Sequence, residues 1–291
     1  MQSKMHPSNK KLPVTVYNTG LNTGFFKTII AIILEFPKAN SLGYRMAARN
    51  IKSRYRQSLL GIFWALIPPI GNAAIWIILN KNNVISLGSN TENYSIFVLT
   101  GTTLWSIFTI SVLTPIQLVQ SNSNILTKIN FPRESLIYAA IYEIFLSTFI
   151  AFIIILAEFI IFKIPLSTYT LLFIPGLILL MLMGLTISLL ILQISLLYKD
   201  VQFALPSTLQ FAMYLSPVVY NNISIKGAAA IFNYNPLSPV LNFTRAHLIN
   251  QPSTVDINIL ILIAICTFLL LILGFAIQRI TAQILIERMG A

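Results

Sequence analysis

The chain has 291 residues, 56% hydrophobic and only 9% charged, with 19 Lys+Arg against 8 Asp+Glu and a net charge of +11. A soluble domain carries roughly 25% charged residues, so this composition excludes a soluble enzyme or a nucleic-acid-binding domain, and its hydrophobicity excludes a disordered chain. What remains is a protein whose solvent is mostly lipid.

The chemistry available is equally narrow. Cys266 is the single cysteine and sits in an apolar run, while His6 and His247 are the only histidines and lie far apart. No disulfide, metal centre or cofactor is expected from such a set. No glycine is followed by lysine, so a Walker A loop is absent, and any ATP-driven work needs an ATPase on another chain.

Residues 1–23 are polar and read as a flexible cytosolic tail without the apolar core of a signal peptide. Residues 24–36 (GFFKTIIAIILEF) are apolar but too short to cross roughly 30 Å of hydrocarbon. They read as a helix lying in the membrane interface or, alternatively, one packed on the bundle. Residues 42–58 are the most densely charged. Arg45, Arg49, Lys52 and Arg56 recur at i, i+4, i+7 and i+11, one face of a helix. Lipid phosphate or an acidic partner suits that stripe, as does a solvated face that only enforces orientation. The region 24–58 is thus interfacial and basic, and 59–291 forms the spanning domain.

Six apolar stretches predict an all-α membrane protein with spans at roughly 59–80, 95–118, 135–162, 169–195, 203–221 and 257–278. The first holds Pro68-Pro69, read as a kink with Asn72 a turn later; the fifth is interrupted by Pro206 and Pro217. With the N-terminus inside, 15 cations fall on the inner side and 4 on the outer side (Lys81, Lys163, Lys226 and Arg245). That asymmetry places both termini in the cytoplasm. The loop 222–256 is too apolar for water and predicts short re-entrant helices turning near Asn235-Pro236 and Ser238-Pro239.

Three features could carry function. Glu143 lies about 12 Å into the third span; it suits either cargo contact or a hydrogen bond to a neighbouring helix. Glu158 lies near the outer end and within reach of the interface. Tyr138, Tyr142, Phe145, Phe149 and Phe152 share one face of that span. Such a face could line a channel for a glycan, because aromatic rings pack on the apolar faces of sugars; helix packing or lipid contact accounts for the spacing equally. The inner loop 121–134 (SNSNILTKINFPRE) suits a short surface helix able to transmit motion from a cytosolic partner.

The segment RNIKSRYRQSLLGIFWALIPPI, from Arg49 to Ile70, resembles the signature of polysaccharide ABC-exporter permeases, with Asn50 where that family usually has Asp. INFPRESLIYAAI, from Ile129 to Ile141, is similar to its F-P-R-E segment, and Leu197 to Val201 (LYKDV) to its R-D-[IV] turn, with Lys199 for Arg. The resemblance runs from residue 42 onward. It implies an ABC-2-type permease that breaks no covalent bond itself, works as a homodimer with two copies of a cytosolic ATPase, and exports an undecaprenyl-type lipid-linked glycan such as O-antigen, capsule or teichoic acid. It implies a bacterial cytoplasmic membrane location. Under it, Arg49, Lys52, Arg54 and Arg56 become candidates for the carrier's pyrophosphate. Asn124, Ile125, Lys128, Phe131, Arg133 and Glu134 become the ATPase contact. Tyr138, Tyr142, Glu143, Phe145, Phe149 and Phe152 become channel wall. The alternatives are an ABC permease for a small drug or lipid, or a lipid-carrier transferase, for which acids near the spans are scarce.

Overall fold

The computed structural model describes residues 25–56, 58–59, 61–82, 91–122, 132, 134–165, 167–220 and 234–289. The expected tail 1–23 lies outside them, as do Asn124, Ile125, Lys128, Phe131 and Arg133 of the expected ATPase contact and residues 221–233 of the loop before the last span. The described residues are mostly helical, joined by short turns, and contain no strand.

The two helices expected over 24–36 and 42–58 are one, α1 (Phe25–Arg56), running through Pro37. It meets α4 (Glu134–Ile161) in an unusual way. Phe36 packs edge-on against Tyr138, Asn40 accepts from the Tyr142 hydroxyl at 2.9 Å, and Arg54 reaches Glu143 at 2.6 Å. On α1 those contacts cover nearly twenty residues, about 27 Å, but on α4 only about 7.5 Å. The helices therefore cross at a steep angle, and α1 lies across one end of the bundle. A close approach at Gly43 permits this, since a Cβ there would sit 2.8 Å from both the Ser135 carbonyl oxygen and the Tyr138 Cβ. Away from that contact, α1 exposes Ile30, Ile33 and Leu34.

A 3-10 turn, Gly61–Ala65, leads into α2 (Ile67–Lys81). Pro68 and Pro69 fall in the first turn of α2, where no N–H is needed. They start the helix rather than kink it, and the Pro69 carbonyl accepts from Thr102 at 3.1 Å. The expected mid-span kink is corrected accordingly.

Helix α3 (Thr91–Ser121) is the centre. Its Leu104, Ile107, Phe108, Val112 and Ile116 are buried against α4 and against α5 (Phe173–Leu197). Helix α5 follows a 3-10 turn whose Ser167 and Thr170 form a reciprocal cap. Small residues bring α3 and α5 together: a Cβ on Gly184 would lie 2.6 Å from the Ser111 Cβ. Without a hydrophobic force between helices in lipid, such close packing is what holds them.

Next come α6 (Lys199–Tyr214), α7 (Leu237–Leu248) and α8 (Ile257–Met289). Contacts fix their directions. Gly184 meets Ser111 and the Ser195 carbonyl accepts from Gln120, so α5 runs parallel to α3. Thr186 meets Thr267 and Gly274 meets Leu189, so α8 is parallel to α5. The chain must therefore return between 197 and 257. It begins that return beside Gln120, where Lys199 and Gln202 share a cavity with it. By Val218 it has reached Gly101, about 28 Å away along α3.

Five helical segments among the described residues are long and apolar enough to cross a membrane: Phe63–Lys81, Tyr94–Ser121, Glu134–Ile161, Thr168–Leu197 and Ile257–Thr281. The stretch expected as the fifth of six spans is not among them. Helix α6 has 16 residues, about 24 Å, and gives way to turns over 215–218 around Pro217, which cannot continue a helix.

Candidate functional site

At the α1 end, Glu143 is 1% exposed. Arg54 donates to its Oε2 at 2.6 Å and Asn50 Nδ2 to its Oε1 at 3.3 Å. Arg49 donates to Asn122 at the end of α3 at 3.3 Å. Thus Glu143, set among channel residues by the sequence, faces α1 and anchors it, and two of the four expected pyrophosphate ligands, Arg49 and Arg54, though exposed, are bonded to other side chains of the bundle. Arg54 keeps half its side chain exposed; Lys52 and Arg56 are exposed. Glu134 pairs with Arg279 of α8 at 3.0 Å, and Arg279 also pairs with Glu35 of α1 at 2.9 Å. One guanidinium thereby ties α1, α4 and α8 together.

The aromatic stripe on α4 divides. Tyr138 packs between Phe36 and Phe275, Tyr142 contacts Tyr44 and Asn40, and Phe152 stacks on Phe173. These three belong to helix packing. Phe145 and Phe149 are exposed. Phe145 borders a shallow apolar groove of about 100 Å³ between α4 and α5, lined by Ile141, Ile144, Ile178 and Met181.

A second aromatic face lies on α6. Phe203, Ser207, Gln210, Phe211 and Tyr214 recur at i, i+4, i+7, i+8 and i+11, and all are exposed. Gln210 Nε2 donates to the Tyr214 hydroxyl at 3.4 Å, and Trp76 of α2 lies against the Tyr214 ring. Hydrocarbon is a poor solvent for an amide, which costs roughly 4 kcal/mol or more to bury without a partner. A face mixing rings with an amide and hydroxyls suits a polar passage or another protein surface better than lipid. The spacing is present in the sequence, in a stretch that Pro206 and Pro217 interrupt.

At the far end, the structure corrects the expectation that Glu158 reaches the interface: it is 2% exposed. The Thr100 hydroxyl donates to its Oε2 at 2.7 Å. Beside it lies Arg245 of α7, 3% exposed, which donates to the Val218 carbonyl at 3.0 Å and sits 3.8 Å over the Phe97 ring. Burial draws the guanidinium below its ordinary pKa, and the Glu158 charge opposes that shift. Asn235 joins the turn before α7 to the end of α6, donating to the Ser216 hydroxyl at 2.9 Å. Among the described residues no group of three His, Cys, Asp or Glu could hold a metal.

The sequence matches the ABC-2 type transporter family over residues 41–249, most of the chain. The chain belongs to that family. An ABC-2 permease is a transport subunit, and permeases of this family normally work with an ATPase partner. Among curated proteins, the O-antigen export system permease protein RfbA of Myxococcus xanthus is 26% identical over 108 residues, covering 37% of this chain and 40% of that protein. The protein of the same name in Klebsiella pneumoniae is 29% identical over 86 residues, 30% of this chain and 32% of that protein. The matched stretches thus span only about two fifths and one third of these relatives. In the ABC-2 permease described here, the matched region runs from within α1 through α7 and takes in the Glu143 and Glu158 networks, while Glu35 and Arg279 lie outside it.

Proposed function

We propose that this chain is the permease of an ABC exporter that moves a lipid-linked polysaccharide of the O-antigen kind across the bacterial cytoplasmic membrane. Two copies act with two copies of a separate ATPase. The observation that carries this reading is the exposed face of α6. The interior of one copy is filled by Leu104, Phe108, Leu180 and Leu189, which leave no room for a polymer. A passage must therefore lie on a surface shared with another copy. Phe203, Phe211 and Tyr214 would supply rings for sugar faces there, and Ser207 and Gln210 hydrogen bonds.

In this reading α6 and the turns after it complete a sixth crossing, both termini lie in the cytosol, and α1 lies in the inner interface with its apolar side in lipid. Helix α7 sits in the outer leaflet. Lys52 and Arg56, exposed and cationic, receive the carrier's pyrophosphate, with Arg54 contributing its exposed half. Residues 124–134 meet the ATPase, and Glu134, tied through Arg279 to α1 and α8, passes the motion on. The relatives named as O-antigen export permeases favour a glycan over a small drug or lipid.

The test is deletion and complementation in the native host. Loss of glycan at the surface, with lipid-linked glycan accumulating inside, is the expected result. An unchanged surface with no accumulation would overturn the proposal and favour a small-molecule substrate.

A further inference from the structure

The charged network at the outer end leaves valences open in an informative way. Thr100 and Gly101 are consecutive on α3: the first holds Glu158, and a Cβ on the second would sit 2.4 Å from Arg245 Nη2 and 2.2 Å from the Val218 carbonyl oxygen. The two buried charges are thus neighbours, yet they are not among the ion pairs within 4.0 Å found in the described residues. Arg245 instead spends its Nη2 on a neutral carbonyl. Among the described residues, its Nε and Nη1 and Oε1 of Glu158 have no hydrogen-bond partner. Buried charges this incompletely satisfied are costly, and within a membrane protein they mark function.

We propose that Arg245 is the latch of the outer gate, with two positions. In the position seen, it grips the Val218 carbonyl and, over Phe97, holds the turn that ends α6 against α3 and α7. In the other, the guanidinium turns to Glu158, whose free oxygen accepts from it, and Val218 is released. The chain past Tyr214 then swings away and the passage opens outward. Glu158 is the receiver that makes opening affordable, and Gly101 is the space that lets the latch close. Each position satisfies groups the other leaves open, as a two-state element requires. The inference rests on the reading that α6 lines the passage, but not on the identity of the cargo.

The test uses the permease and its ATPase together in lipid nanodiscs. Cys266 is replaced by Ser, Val218→Cys is introduced, and labelling by a membrane-impermeant maleimide is followed with and without ATP. The parent should label slowly without ATP and faster with it. Arg245→Gln should label fast in both conditions, by about tenfold, the size expected from losing a charge-assisted hydrogen bond. Glu158→Gln should stay slow even with ATP. Gly101→Ala keeps both charges but crowds the latch, and it should behave as Arg245→Gln does, which covers the case in which the arginine variant does not assemble. Equal labelling of the parent, Gly101→Ala and Glu158→Gln would overturn the latch. Because no glycan enters this assay, its failure is separate from failure of the export reading.

Discussion

Glu143 is buried with Arg54 and Asn50 on its two oxygens, and removing one partner of such a group costs more than the pair contributes, because the charge left behind is unpaired. Arg54→Ala strands a carboxylate that is 1% exposed. It should lower stability by about 2–3 kcal/mol and free α1 to protease. Arg56→Ala removes an exposed cation and should change stability by under about 0.5 kcal/mol. Thermal unfolding and limited proteolysis in detergent would compare the two. A binding assay with a lipid pyrophosphate should give the reverse order, with Lys52→Ala and Arg56→Ala weakening binding while unfolding stays put. The burial of Glu143 could be read from its depth in an apolar run. Its partners could not, since they stand about ninety positions earlier, on a helix whose crossing angle no periodicity reports. Asn50 fits the same logic: an amide there donates to Glu143, where the family's usual carboxylate would not.

At the scale of elements, the sequence located the long apolar helices well, because lipid demands continuous runs of about twenty residues. Five of the expected stretches fall within about four residues of the segments long and apolar enough to cross a membrane, although α2 itself starts only at Ile67 and α8 continues to Met289. The sequence misjudged the helices whose form depends on neighbours. The joining of the two N-terminal helices through Pro37 and the early end of α6 both follow from packing and proline geometry. Two predictions belong here. Gly184→Val on α5 would press on Ser111 and the Phe108 carbonyl of α3; it should cost about 1–3 kcal/mol and reduce the folded protein recovered from membranes. The faces of α4 and α6 can be told apart by transport. Ser207→Leu with Gln210→Leu should abolish most export without lowering the unfolding temperature, whereas Phe149→Leu on α4 should leave export unchanged. The opposite pattern would return the passage to the α4 stripe.

For the whole molecule, α3, α5 and α8 run parallel and the chain returns between α5 and α8; the proposed sixth crossing, completed by α6 and the turns after it, would add to the five long apolar segments of the described residues and make the number of crossings even. Reporters active only in the cytosol, fused separately to the two termini, should both be active. A single inactive terminus would break the six-span account. The charge asymmetry of 15 against 4 is the feature from which this orientation is proposed. What stayed hidden was the network of Glu158 and Arg245, since the sequence reads Glu158 as within reach of the interface and Arg245 as a loop cation, and only the packing of α7 against α3 and α5 brings them together.

The measurement that tests the central claim most directly is transport itself. Permease and ATPase are reconstituted in vesicles with a lipid-linked glycan, and the fraction of glycan protected from an added glycosidase is followed on adding ATP to outward-facing ATPase. The account predicts ATP-dependent protection that vanishes with Ser207→Leu/Gln210→Leu. ATP hydrolysis without any change in protection, while a small amphiphile is moved instead, would contradict it.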